Sequence, residues 1–234
     1  MTKASPDGSQ GQNFGSQVFM LASVRCAPLR WRSVADEVTN TLSVASGGRA
    51  DPVLYGIWRS QIGKPRDELT LIATWPEGQD FSGKLNENLS SVSDIVECST
   101  TLMKPTLRPT SADAPQRQGN YAFRWFETPS CHWQEFLELC EGSWPGFEAA
   151  YDSQVIGLWR VQEQAASPQD HIRSLLLTRR PNLATWERSK IPQGAEETKV
   201  RQALSRRYDL CTDTVVFTTT LLTASDDTDN VRWT

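Results

Sequence analysis

Apolar side chains at Trp31, Val34, Ala35, Val38 and Leu42 stand at i, i+3, i+4, i+7 and i+11, a spacing that lines them along one face of a helix. The same ladder returns 102 residues later as Trp133, Phe136, Leu137, Cys140 and Trp144. A proline, Pro28 or Pro129, introduces each ladder, suited to a first helical turn because its missing N–H would be unpaired there anyway. Thr128 is the candidate cap of the second helix. Beyond each ladder the period changes to two. Leu54-Tyr55-Gly56-Ile57-Trp58-Arg59-Ser60-Gln61 matches Val155-Ile156-Gly157-Leu158-Trp159-Arg160-Val161-Gln162 at its Gly, Trp, Arg and Gln. The chain therefore carries an internal repeat.

Each copy continues in the same order. First strands are predicted over about Val18 to Arg25 and Tyr121 to Glu127, and third strands over Glu68 to Trp75 and His171 to Arg179. The β-branched runs Asp94 to Met103 and Asp213 to Leu222 close the copies as strands. Their echo has the larger shift of 119 residues, so the second copy holds an insertion. Its second helix splits at Pro192, one piece carrying Leu183 and Trp186 and the next Val200, Ala203, Leu204 and Tyr208. The pattern is βαββαβ, the ferredoxin-like motif, in two domains over 17–107 and 119–224. Three prolines between 105 and 118 mark a linker, and the first 15 and last ten residues read as polar tails. A sheet covered by helices on one side leaves its other face bare. The expected fold is thus α+β, two tandem ferredoxin-like domains packed sheet to sheet as a pseudo-dimeric α+β barrel. The space between the sheets is the expected place for a ligand.

Composition narrows the classes. The 234 residues are 38% hydrophobic and 22% charged, with a net charge of −4; that supports packed cores and argues against a nucleic-acid partner, since no basic stripe with interleaved aromatics stands out. No apolar run approaches the ~20 residues of a membrane span, and no secretory signal pattern opens the chain. Five irregularly spaced cysteines read as reduced thiols of a cytoplasmic protein. Two histidines and no Cys-x-x-Cys pair leave no expected metal site. Nine tryptophans indicate aromatic-rich cores or a ligand pocket.

The second copy suggests a family. Phe136-Leu137-Glu138-Leu139, Trp144-Pro145-Gly146-Phe147-Glu148, Val155-Ile156-Gly157-Leu158-Trp159 and Thr178-Arg179-Arg180-Pro181-Asn182-Leu183-Ala184-Thr185-Trp186-Glu187-Arg188-Ser189 resemble a NIPSNAP-type domain of the dimeric α+β barrel superfamily. The first copy resembles it more faintly, through Tyr55-Gly56-Ile57-Trp58 and Ala73-Thr74-Trp75-Pro76. The resemblance spans roughly residues 17 to 224. It implies the tandem barrel, in a superfamily that includes cofactor-free monooxygenases, isomerases, dehydratases, haem-binding enzymes and proteins with no known reaction, and it carries over no shared catalytic motif.

Candidate chemistry is sparse. His132, in the first turn of the second copy's helix beside Cys131, is a candidate general base, as is Glu127 at a strand end beside aromatics. Surface positions are the competing reading for both. Arg59 and Arg160 would favour an anionic ligand if they entered the barrel, whereas Trp58 and Trp159 would make an aromatic pocket, since neighbours on a strand face opposite ways. Gly56 and Gly157 leave space above their strands, for a helix more often than for a ligand. Tyr121, Phe123 and Trp125 share one strand face with Glu127 and complete the candidate binding set. His171 is a candidate axial haem ligand if its ring enters the barrel. By fold analogy the expected function is a cofactor-independent lyase, isomerase or monooxygenase acting on a small apolar or aromatic metabolite between the sheets, as a monomer or homodimer. The alternatives are a non-catalytic ligand-binding or protein-interaction protein and, behind it, a haem-binding protein. A solvent-connected cavity of at least ~300 Å³ between the sheets, lined by aromatics and one or two polar groups, would favour the enzyme; a close-packed interface with no such pocket would remove that reading.

Overall fold

The computed structural model describes residues 17–45, 51–162 and 170–225; the expected N-terminal tail, and the C-terminal one beyond Ser225 with Trp233, lie outside the described residues. The elements follow the predicted order. The first half contains β1 (Gln17–Cys26), α1 (Trp31–Ala45), β2 (Val53–Ile62), β3 (Glu68–Pro76), α2 (Ser82–Ser90) and β4 (Ile95–Arg108). The second contains β5 (Asn120–Pro129), α3 (Trp133–Tyr151), β6 (Gln154–Val161), β7 (His171–Arg180), α4 (Leu183–Arg188), α5 (Gly194–Asp209) and β8 (Asp213–Leu221). Helices α4 and α5 divide at Pro192, as its missing donor requires. Pro105 belongs to β4 rather than to the expected linker, because that strand continues to Arg108. Among the described residues no helix is long and apolar enough to cross a membrane.

The strands form one closed barrel in the order β1-β3-β2-β8-β5-β7-β6-β4. Each half supplies four neighbouring strands, and the halves join where β2 pairs with β8 and β4 with β6, both antiparallel. Closure pairs the free edge of each sheet, which would otherwise present unsatisfied backbone groups. It also buries both faces of most strands, although the first half of β4 and the start of β8 stay exposed. Val18, Met20, Ala22 and Val24 of β1 pack outward in a core with α1 and α2, while Phe19 and Leu21 point into the barrel. In the second half Phe126, Leu158 and Leu176 pack outward in a core with α3 and α5.

The barrel interior is filled by side chains. Trp58 and Trp159 are both fully buried in it, and they cross between the halves. Trp159 packs on Phe19 at 5.6 Å and Tyr55 at 6.4 Å, while Trp58 packs edge-on to Phe123 at 5.3 Å and Tyr121 at 5.9 Å. Neither indole N–H has a hydrogen-bond partner, so apolar packing holds them. The glycines two residues earlier make room for these rings. A Cβ on Gly56 would meet ring carbons of Trp58 at 2.5–3.0 Å, and one on Gly157 those of Trp159 at 2.4–2.8 Å. The expected space for a helix is therefore occupied by the repeat's own tryptophan.

Register corrects the sequence alignment of the closing strands. Leu21 lies opposite Thr101, and its equivalent Phe123 lies opposite Phe217, so Thr101 corresponds to Phe217 rather than to Thr220. The three-residue difference is odd and exchanges inward and outward faces. Thr128 does not cap α3. His132 occupies the N-cap with no side-chain cap bond, because a 3-10 turn at Ser130–His132 delays the helix; Thr128 instead approaches Cys211 Sγ at 3.5 Å.

Candidate functional site

The candidate site residues do not converge. Tyr121, Phe123, Trp58 and Trp159 belong to the aromatic filling of the barrel. The Tyr121 hydroxyl donates to the Arg117 carbonyl, and Phe123 stacks on Phe217 at 5.1 Å. Arg59 lies on the helix side, its guanidinium 4.0 Å from the Trp31 ring centre. Arg160 and His132 are exposed. Glu127 and Trp125 meet Arg173 at one barrel end, Glu127 at 3.3 Å and the Trp125 ring at 4.5 Å. That ion pair is well exposed, so Glu127→Gln is expected to change stability by less than ~1 kcal/mol in chemical denaturation. The expected ligand space between the sheets is taken up by side chains. A hollow of about 470 Å³ does open at the other barrel end beneath residues 107–117, but Tyr55 is its single aromatic, and its polar groups bond one another, as Ser111 does to Asp113 at 2.7 Å. His171 is exposed at the start of β7, where it lines an open hollow of about 350 Å³ with Arg160 and Arg173, and Glu127 lines a neighbouring one of about 570 Å³ with Arg173; neither has an aromatic wall, and the polar residues around His171 do not fit a haem there.

A different site lies on the outer face of the second half's sheet. Ala122 and Arg124 of β5 and Leu176, Thr178 and Arg180 of β7 form its floor; Trp144 and Phe147 of α3 and Trp186 of α4 form apolar walls. Ser189 and Lys190, after α4, and Arg201, Leu204, Arg207 and Tyr208 of α5 close it. Alternation puts Arg124 and Arg180 here, on the face opposite Phe123 and Arg179. The cavity measures about 40 Å³, room for about three waters at ~10–15 Å³ each or for one small head group.

Five cations and no carboxylate line this space. Among the described residues, Arg124, Arg180, Lys190, Arg201 and Arg207 make none of the ion pairs that the rest of the surface shows. Aromatic faces hold them instead. Arg180 lies 5.1 Å from the Phe147 ring centre and 5.2 Å from that of Trp186, Arg124 5.2 Å from Tyr208, and Arg207 4.9 Å from Phe126. Such contacts position a guanidinium without consuming its N–H donors. The Nε groups of Arg180 and Arg207 are buried without a hydrogen-bond partner; Arg180 otherwise donates to Thr178 Oγ1 at 3.0 Å, and Arg207 to Cys140 Sγ at 3.6 Å and to the Tyr208 hydroxyl, which together hold its guanidinium above the ordinary value against the opposing effect of its burial.

The electrostatic consequences are local. Burial pushes the Arg180 guanidinium down to about 10, with Arg124 and Arg207 adding to the effect against the opposing pull of Tyr208. Arg124 is lowered too, by burial against the opposing pull of Tyr208, with neighbouring arginines adding to the effect; partial covering of the stem moves the ammonium of the otherwise exposed Lys190 the same way. Burial alone would raise the Tyr208 phenol, but Arg207, Arg124 and Lys190 outweigh it and hold the group below its ordinary value. A pocket combining strained cations with an acidified phenol is the combination expected where chemistry or anion binding occurs.

No family model and no curated protein matches this chain. Solved structures do. An anthrone oxidase-like protein aligns over 88% of this chain and 92% of its own, with TM-score 0.56 and 10% identity. A candidate monooxygenase from Lactobacillus acidophilus NCFM covers 87% and 93%, with TM-score 0.55 and 7% identity. A variant of the chlorite dismutase from Candidatus Nitrospira defluvii covers 88% and 91%, at 0.53 and 6%. The fold is that of the dimeric α+β barrels. Identities this low establish the architecture alone, here closed within a single polypeptide.

Sequence reasoning did not find the cavity, although a strand face shared by Tyr121, Phe123 and Trp125 leaves Ala122, Arg124 and Phe126 on the other. The available signal was an arginine at an outward position in each of two strands, Arg124 and Arg180, where helix-covered faces ordinarily carry apolar residues.

Proposed function

We propose that this protein is an enzyme of small-molecule metabolism, working in the outer-face cavity of the second half. The reading keeps cofactor-independent acid–base chemistry of the lyase, isomerase or monooxygenase kind on a small apolar or aromatic metabolite, and moves the site from between the sheets to beneath α4 and α5. The observation that carries it is the Tyr208 phenol among cations that lower its pKa. As phenolate, Tyr208 takes a proton from a C–H or O–H of the substrate, the bonding pair stays on the substrate as enolate or phenolate, and the arginines stabilise that charge. Returning the proton to another carbon gives an isomer; returning it to a departing hydroxide gives a dehydration product. A monooxygenase would in addition consume dioxygen as co-substrate. Solved neighbours named as monooxygenase and anthrone oxidase-like proteins make an enzyme-like use of the fold reasonable. The NIPSNAP resemblance and the division at 17–107 and 119–224 belong to this proposal as well.

The test is turnover. Chelator-treated protein is expected to convert at least one member of a panel of hydroxylated aromatic and β-keto compounds, followed by chromatography. The small size of the cavity favours one second reading, a non-catalytic binding protein. Saturable binding with no product across the panel would establish that alternative.

A further inference from the structure

Arg124, Arg180 and Arg207 come from three elements, β5, β7 and α5, and converge on one cavity without any carboxylate among its lining residues. Taking a guanidinium out of water is costly unless an anion or a set of acceptors compensates it. Here aromatic rings supply part of the compensation, and the Nε donors of Arg180 and Arg207 remain unmatched. A chain with 28 acidic residues against 24 basic ones has no shortage of carboxylates to place there. Their absence leaves the space and the donors for a group from outside.

We propose that the cavity binds the oxyanion head group, carboxylate or phosphate, of a small aromatic molecule, gripped by Arg124, Arg180 and Arg207 and flanked by the rings of Phe147 and Trp186. The proposal rests on the reading of this cavity as the functional site and adds the class of its ligand. Guanidinium forks match both carboxylate and phosphate oxygens in pairs. The volume of about 40 Å³ takes such a head group, and the ring it carries extends toward α4, a six-residue helix resting on β7. Lys190 stands exposed at the rim, placed to attract an anion from solution.

The experiment follows thermal unfolding of the full chain with benzoate, phenyl phosphate, inorganic phosphate and neutral benzamide. Benzoate or phenyl phosphate is expected to raise the Tm saturably, by about 5–10 °C at a hundredfold excess over its Kd, while benzamide leaves it unchanged. The stronger of the two identifies the head group. Arg180→Gln is expected to weaken that ligand at least tenfold and to raise the Tm of the ligand-free protein by a few degrees, since it removes an uncompensated buried charge. Lys190→Gln, at an exposed position, is expected to weaken binding two- to fivefold at low salt and not at high salt. An equal shift with benzamide, no shift with either aromatic anion, or an anion shift untouched by Arg180→Gln and Lys190→Gln would overturn the proposal. Inorganic phosphate as effective as phenyl phosphate would overturn its aromatic part. An anion that binds without being converted leaves this inference standing and removes the enzymatic reading; a neutral substrate that is bound and turned over does the reverse.

Discussion

Trp159→Ala is expected to destabilise the protein by about 3–5 kcal/mol, the range for a large aromatic removed from a packed interior, and to lower the Tm by roughly 6–20 °C for a chain of this size. The ring is fully buried, it touches Phe19 and Tyr55 of the opposite half, and its removal takes contacts from the junction that closes the barrel. Gly157→Ala acts on the same contact from the other side. Its new Cβ would stand 2.4–2.8 Å from carbons of the ring, and overpacking of that kind costs about 1–3 kcal/mol. The two changes are coupled, because alanine at 157 is harmless once the ring is gone. The double variant is therefore expected to lose little more than Trp159→Ala alone, a departure from additivity of about 1–3 kcal/mol measurable by denaturant titration. Additive losses would show that the indole is not seated on this glycine.

That glycine also marks the limit of what could be read in the chain. The helical ladders from Trp31 and Trp133 and the paired Gly-x-Trp-Arg strands fix the order of elements, because amphipathic helices leave a 3.6-residue signature. Which strand face looks inward was not legible. A strand between helices and a barrel interior is apolar on both faces, so Ile57 and Trp58, or Leu158 and Trp159, give no inside-versus-outside contrast. The echo of Asp94–Met103 in Asp213–Leu222 misled because matching residues, Thr100-Thr101-Leu102 with Thr219-Thr220-Leu221 among them, favour a register three residues away from the true one, and only the pairing of Leu21 with Thr101 and of Phe123 with Phe217 fixes it. Barrel closure depends on β2 meeting β8 and β4 meeting β6, contacts between distant segments that no local period announces. The cavity was hidden for the same reason. Its cations come from two strands, the segment after α4, and α5, and in isolation each reads as an ordinary solvated charge.

Tyr208→Phe is expected to have the largest effect on activity. The substitution keeps the ring that Arg124 and Arg207 face at 5.2 and 5.1 Å and removes only the hydroxyl, so the fold should lose no more than about 1 kcal/mol. If the phenolate is the proton acceptor, kcat should fall about 10²- to 10⁴-fold with little change in KM. The pH profile separates this role from a structural one. Because the surrounding cations hold the phenol below its ordinary value, the phenolate fraction and the rate should climb with pH along a limb lying below the ~10 of a free tyrosine. Weakening the cations reverses the shift: Lys190→Gln should move the limb upward while leaving its height nearly unchanged. In Tyr208→Phe the limb itself should vanish. Activity within tenfold of the native protein, or a rising limb that survives the substitution, would assign the proton transfer to another group and leave Tyr208 as a partner that keeps Arg207 in place.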